Sequence, residues 1–195
     1  MAYTFSSAQP SKDSIKKIFL ELYRSKPLNQ ITVKEISESC NLSRTTFYFY
    51  FEDINALYLE CVEDAMTYME VGLSDLVLFT VGRDFDRYVE AYTKHLSGLQ
   101  ENPDLYASLL SGSENTTFRD RWFQSIYKHC GQTLSFSRNV TPELRENLIH
   151  FFAAGQLSVL SAWVLSGCKA PVKSIALSSA QILFHGVYGS NISKI

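Results

Sequence analysis

The sequence predicts an all-α fold of about nine helices, and three observations carry that expectation. Apolar residues recur at three- and four-residue spacing through most of the chain. Helix starts are marked by Ser, Thr, Asp or Asn, in places followed by Pro or by Glu three residues on. No segment alternates apolar and polar residues as a half-buried strand does, and there is no repeat or low-complexity tract. At 195 residues, with 46% hydrophobic and 19% charged residues, the chain can bury a core and is too apolar to be disordered.

The first helix is expected over residues 11–25, with Ile15, Ile18, Phe19 and Leu22 as its apolar stripe and Pro27 as its stop. Residues 31–57, ITVKEISESCNLSRTTFYFYFEDINAL, carry the most information. Thr32 followed by Glu35 reads as a capping box that satisfies orphan N–H groups at a helix start. Val33 and Ile36 share one face of that helix. Cys40-Asn41-Leu42-Ser43 breaks it, because Asn tolerates the left-handed conformation of a tight turn. Ser43 can cap the next helix. Phe47 and Phe51, four apart, should hold that helix on the domain. Arg44, Thr45, Thr46, Tyr48 and Tyr50 are then candidates to face outward. A short turn joining two helices, the second starting with polar side chains, is the geometry that enters a DNA major groove.

A long helix is expected from about 52 to about 78, with acidic Glu52 and Asp53 at its N-terminus and Gly82 punctuating the chain beyond it. Residues 84–100 follow, with Phe85, Tyr88, Val89, Tyr92 and Leu96 at helical spacing. Asn102-Pro103 opens a short helix to about 110, and Ser111-Gly112-Ser113 reads as a loop. Residues 117–134 form the next helix, through Phe118, Trp122, Phe123, Ile126 and Tyr127. Thr141-Pro142 starts a long helix to about 166, closed by Gly167 and Pro171. A last helix covers about 172–187.

The segment 31–57 resembles the DNA-binding domain of TetR-type transcriptional regulators. Their pattern runs Thr-x-basic-x-Ile-Ala, Gly-Val-Ser, Thr-apolar-Tyr-x-(Tyr/His)-Phe, then Asp-Lys-x-x-Leu. The chain has Thr32-Val33-Lys34-Glu35-Ile36-Ser37, Asn41-Leu42-Ser43, Thr46-Phe47-Tyr48-Phe49-Tyr50-Phe51 and Asp53-Ile54-Asn55-Ala56-Leu57. Ser37 and Asn41 are mild departures. Ile54 stands where the family has a phosphate-contacting Lys, so that contact is in question, with a weaker or more salt-tolerant hold on DNA as its consequence. The resemblance implies three small helices for DNA (1–51) and a helical regulatory and dimerisation domain (52–195) whose last two helices pair with their copies. The pattern around Gly155, Trp163, Gly167 and Pro171 resembles a regulatory-domain subtype of low-GC Gram-positive bacteria.

Arg44 is the expected base reader, since Arg can donate two hydrogen bonds to guanine. Thr45 and Thr46 can reach a phosphate or a thymine methyl, although Thr46 can instead pack or cap. Tyr48 and Tyr50 fall on the family's contacting positions. Phe49 has no donor and either wedges against the sugar-phosphate backbone or packs on the fourth helix. Thr32 and Lys34 sit where phosphate meets a helix N-terminus, and Ser43 joins the DNA-binding set. Lys12, Lys16 and Lys17 either add long-range attraction or form a solvated face. Residues 1–50 carry seven Lys/Arg and four Asp/Glu, and the remainder eleven and sixteen, so a net of −2 hides +3 and −5. That asymmetry is a mild nucleic-acid cue.

Tyr92, His95 and Trp122 join apolar bodies to polar tips and are candidates to line a small-molecule effector pocket, with Tyr127 and Phe152 beside them. Core packing is the alternative for each. Cys40, Cys61, Cys130 and Cys168 are far apart, without a C-x-x-C pair, and are expected to be reduced thiols in a cytoplasmic protein. The start, MAYTFSSAQPSKDS, lacks the pattern of a secretory signal. Residues 147–168 and 174–193 contain no Asp, Glu, Lys or Arg. Asn147, His150, Gln156, Ser158, Ser161 and Ser166 make the first polar for a bilayer span, so a subunit interface is the expected source of burial. Scattered histidines give no metal site, and neither a nucleophile elbow, a phosphate loop nor a paired-carboxylate motif is present, so no enzyme and no cofactor are expected.

The expected whole is a homodimeric DNA-binding regulator of a double-stranded operator, more often a repressor than an activator in this family, tuned by a small-molecule effector. The competing reading is a helical protein-interaction module or co-activator with weakened specific DNA binding, motivated by Ile54 and the small basic excess.

Overall fold

The computed structural model describes residues 10–111, 116–134, 136 and 140–189. Among these residues are nine α-helices and no strand: α1 Pro10–Tyr23, α2 Val33–Ser39, α3 Arg44–Tyr50, α4 Ile54–Val81, α5 Phe85–Glu101, α6 Pro103–Ser111, α7 Thr117–Thr133, α8 Pro142–Leu165 and α9 Val172–Gly189. A 3-10 turn at Leu28–Gln30 joins α1 to α2. Of the predicted loop at 111–113, residues 112 and 113 lie outside the described residues.

Helices α1, α2 and α3 pack on one another around Ile15, Phe19, Ile36 and Phe47, which have no exposed surface. Helix α4, 28 residues and so about 42 Å long, runs from this unit through the rest of the molecule. It packs on α5 and α7. Helix α7 in turn packs on α8, α5 on α9, and α6 between α1 and α8.

The helix ends follow from local chemistry. Asp53 caps α4, its carboxylate accepting from the Ala56 N–H at 2.7 Å. Asp84 and Thr141 cap α5 and α8 in the same way, and Pro142 is tolerated because the first-turn N–H has no partner to lose. At the end of α4 the expected punctuation shifts by one residue. Gly82 keeps φ −73° and ends the helix in right-handed geometry, whereas Arg83 takes φ 53°. The Asp84 N–H then closes on the Phe79 carbonyl at 3.0 Å, a Schellman closure made without glycine at the left-handed position. Helix α8 ends as expected at Gly167, φ 76°, and the Trp163 Nε1–H donates to the Ala170 carbonyl at 2.9 Å.

The crossing of α4 and α5 depends on two glycines. A Cβ on Gly72 would lie 1.8 Å from His95 Nδ1, and one on Gly98 would lie 1.8 Å from the Tyr68 hydroxyl. Each ring therefore sits on the bare backbone of the opposite helix. Tyr68 also donates to the His95 carbonyl at 2.7 Å. The close approach offsets the roughly 1 kcal/mol that glycine costs inside a helix.

Helix α8 is long and apolar enough to cross a membrane by length and composition, with 39% of that window buried. Large apolar side chains are left exposed on both C-terminal helices: Phe151, Val159 and Leu165 on α8, Leu177 and Ile182 on α9.

Candidate nucleic-acid interface and internal cavity

Helix α2 begins at Thr32, whose Oγ1 accepts from the Glu35 N–H at 3.2 Å. Only half of the expected capping box forms, because the Glu35 carboxylate turns to an ion pair with Lys26. Asn41 takes φ 54°, the left-handed conformation expected of it. The Leu42 N–H then donates to the Ser37 carbonyl at 2.8 Å, and Ser43 Oγ accepts from the Thr46 N–H at 3.1 Å to start α3. Phe47 is fully buried, with its ring 5.7 Å from that of Phe51. These contacts fix which side of α3 is left outside.

That side carries Arg44, Thr45, Tyr48 and Phe49, all exposed. Phe49 is 79% and Tyr48 57% exposed, and neighbouring uncovered aromatics beside a free guanidinium mark a surface that meets something. Among the described residues Arg44 has no ion-pair partner. Ser43 and Thr46 are engaged in the cap, their hydroxyl oxygens 2.9 Å apart, so both are turned toward the backbone. Tyr50 is half-buried, its ring 5.0 Å from Phe49. Lys34 is exposed and only loosely paired with Glu38 at 3.8 Å. Ile54, half-buried, packs against the core.

Of the three N-terminal lysines, Lys12 and Lys16 are committed to α4. Lys12 lies 2.7 Å and Lys16 2.5 Å from Glu60, and Lys16 is 2.6 Å from Asp64. Burial alone would lower the Lys16 pKa, but the hydrogen bonds to Asp64 and Glu60 outweigh it and hold the ammonium charged. Lys17 remains exposed. Arg24, just past the end of α1, reaches Asp104 of α6 at 2.5 Å. The helix-turn-helix unit is thus fastened to the rest of the molecule at α4 and at α6.

Behind it, a cavity of about 200 Å³ lies among α4, α5, α7, α8 and α9. Its walls are apolar: Leu73, Tyr88, Ile126, Phe151, Phe152, Val159, Ile182 and Leu183, with Cys130. One polar cluster interrupts them. The Gln156 amide donates to the Tyr92 hydroxyl and, at 3.1 Å, to Ser179 Oγ. His129 also lines the cavity, and its Nε2 is buried without a hydrogen-bond partner. Burial draws the His129 pKa down to about 4, so the ring is neutral near pH 7. A larger hollow of about 630 Å³ between α4 and α7 is an open groove lined by charged groups, including Glu70, Asp120, Arg121 and Lys128. Its size reflects bulk solvent, and the smaller apolar cavity is the better ligand site.

The candidate pocket residues separate accordingly. Tyr92 and Phe152 line the cavity. His95 lies one layer behind, stacked on Tyr92 at 6.2 Å and on Tyr68 at 5.3 Å. Trp122 is 1% exposed and packs on Phe118 in the core. Tyr127 sits at the α7–α8 edge, bonded to Glu146 and beside His150. Gln156, Ser179, Tyr88 and His129 line the cavity without having stood out in the sequence as pocket residues. A lone amide in an uncharged apolar run was the one available signal for Gln156.

All four cysteines are free thiols. Burial pushes Cys61 up to about 12 and Cys130 up to about 11, and raises Cys40 and Cys168. No cluster of metal-ligating side chains occurs among the described residues.

Comparison with known proteins agrees with this layout. Residues 20–61 match the model of bacterial regulatory proteins of the tetR family, and residues 86–185 match that of a transcriptional regulator C-terminal region. An uncharacterized HTH-type transcriptional regulator of Bacillus subtilis (strain 168), YxbF, is 23% identical over 175 residues. That match takes in 86% of this chain but 43% of YxbF, so the chain spans less than half the length of that relative. The fatty acid degradation regulator FadR from Bacillus halodurans superposes with a TM-score of 0.64 at 14% identity, over 94% of this chain and 100% of that one. FadR from Bacillus subtilis, in complex with stearoyl-CoA, gives 0.60 at 14% identity over 90% and 98%. The dihydroxyacetone kinase operon activator DhaS gives 0.55 at 16% identity over 93% and 98%. At these identities the likeness shows the fold.

Proposed function

We propose, since this chain belongs to the TetR family of bacterial transcriptional regulators, that it is a homodimeric repressor whose operator affinity is set by a small molecule. The observation that carries the DNA-binding reading is the outer side of α3. Arg44, Thr45, Tyr48 and Phe49 are exposed together on a helix whose cap and buried Phe47 leave it one orientation. Arg44 is the base reader, and Thr45 and Tyr48 offer hydroxyls to base or phosphate. Phe49 lies flat against the sugar-phosphate backbone, and Lys34 contributes a phosphate contact. Thr32, Ser43 and Thr46 act mainly by capping and holding the two helices. Tyr50 supports Phe49.

Two further features support the rest of the reading. Beyond Glu146 on α8 and Lys173 on α9 neither helix carries an Asp, Glu, Lys or Arg, and both expose large apolar side chains, which are commonly covered by a partner. A second copy of the chain would cover them and set two α3 helices for adjacent major grooves. The cavity touches α4, α5, α7, α8 and α9, so an occupant bears directly on α4, which carries the helix-turn-helix unit. An effector that favours one setting of α4 changes the spacing of the two α3 helices in proportion to its differential affinity. Residues 1–51 then serve as the DNA-binding unit and 52–195 as the regulatory unit of a cytoplasmic protein.

Footprinting on the DNA upstream of the chain's own gene tests this reading. Two protected half-sites on one face of the duplex, about 34 Å or slightly more apart, are expected. A single protected half-site, or protection that ignores sequence, would contradict it.

A further inference from the structure

The cavity's chemistry narrows what it can take. Among its described lining residues there is no Lys, Arg, Asp or Glu. An ion carried into it would lose hydration and gain no counter-charge, which strongly disfavours charged ligands. Its hydrogen-bonding capacity is confined to one side. Gln156 uses its amide N–H groups on Tyr92 and Ser179, which leaves its carbonyl oxygen as an acceptor and the Tyr92 hydroxyl proton as a donor. His129 lines the cavity too, but its ring also borders the open groove between α4 and α7 and its Nε2 has no accessible surface, so it adds no hydrogen-bonding group for an occupant.

Size is the second restriction. A cavity of about 150 Å³ lined by aliphatic and aromatic side chains holds one benzene ring. The cavity here, at about 200 Å³, has room for a ring with one or two small substituents. A cavity little larger than one that holds a benzene ring does not enclose an eighteen-carbon acyl chain, and the phosphates of the stearoyl-CoA named for the FadR structure are the wrong charge for this lining.

We infer that the cavity binds an uncharged, single-ring-sized molecule carrying one hydroxyl or carbonyl group, oriented by Gln156 and Tyr92. This rests on the regulator reading only in calling the molecule an effector. Binding itself is a property of the protein alone. The ring lies against Tyr88, Ile126, Phe152 and Leu183, and its polar substituent meets the Gln156 carbonyl or the Tyr92 hydroxyl. Phe151 and Val159 line the opening on the outer side of α8, on the surface proposed to meet the second copy, so the occupant is enclosed once the dimer forms.

Isothermal titration of the full chain with 4-methylphenol, toluene, 4-methylbenzoate and stearoyl-CoA tests the inference. Saturable binding of 4-methylphenol is expected, with toluene about tenfold weaker because it forms no hydrogen bond. No heat is expected from 4-methylbenzoate or stearoyl-CoA. Gln156→Leu and Tyr92→Phe should each weaken 4-methylphenol about tenfold and leave toluene unchanged. Retained toluene binding also shows that the variant is folded. Equal binding of the phenol and the benzoate, tighter binding of stearoyl-CoA, or no binding of the phenol to the folded chain would each overturn the inference. Operator binding measured without ligand separates the two claims. If it persists while the phenol fails, the regulator stands and the ligand class falls; if DNA binding fails while the phenol binds, the reverse holds.

Discussion

His95 lies on the bare backbone of Gly72, stacked between Tyr68 and Tyr92, and this one ring ties the cavity wall to the long helix α4. Gly72→Ala puts a methyl group where the imidazole is, and the ring cannot leave without disturbing both tyrosines. A loss of about 1–3 kcal/mol, the usual range for overpacking, is expected from denaturant unfolding, whereas Gly155→Ala, with nothing near the new Cβ, should cost far less. His95 and His129 also give stability a pH dependence. Burial lowers both to about 4 from an ordinary value of 6.5. Between those values the unfolded chain binds more protons than the folded one, so stability is full above about pH 6.5 and falls as pH drops toward 4. The slope is about 1.4 kcal/mol per pH unit for each histidine. His95→Gln with His129→Gln should flatten this part of the profile in urea unfolding at pH 5 and 7, and an unchanged slope would rule these two histidines out as its source.

At the scale of elements, α8 and α9 are the pair whose composition is least like that of a solvated helix. Their outer surface shows Leu165 and Leu177 at 48% and 37% exposure, both outside the cavity lining. If a second copy covers it, Leu177→Glu should weaken self-association at least tenfold in sedimentation equilibrium, since a charge buried at a dimer interface without a partner is costly. Helical content by circular dichroism should hold. A monomeric parent chain would rule out the pairing. Helix α3 behaves in the opposite manner, because its exposed aromatics are few and lie beside Arg44. Lys34→Ala should weaken binding to any duplex and reduce the salt dependence by about one unit of slope.

Over the whole molecule, what was legible in the sequence is what depends on near neighbours. The turn at Asn41, the cap at Ser43 and the buried Phe47 are written within a dozen residues, and their order matches the family pattern, so the helix-turn-helix could be placed from the sequence alone. The uncharged stretches 147–168 and 174–193 were legible as well, as composition. The cavity was not. Gln156 meets partners 64 and 23 residues away along the chain, and no spacing rule brings α5, α8 and α9 to one point. Arg83, not Gly82, takes the left-handed position after α4, because its flanking bonds outweigh its intrinsic preference. Glu35 prefers Lys26, brought close by the fold, to its own helix start. The regulator reading depends on the exposed side of α3 reading DNA. A binding titration of the purified chain on its own upstream DNA and on unrelated duplex, at two salt concentrations and with Arg44→Ala in parallel, tests that role. Arg44→Ala is expected to weaken binding to the upstream site by about 1–3 kcal/mol, near ten- to hundredfold, and barely to change binding to the unrelated duplex. Equal affinity for both duplexes, unaffected by Arg44→Ala, would refute a DNA-reading role for α3.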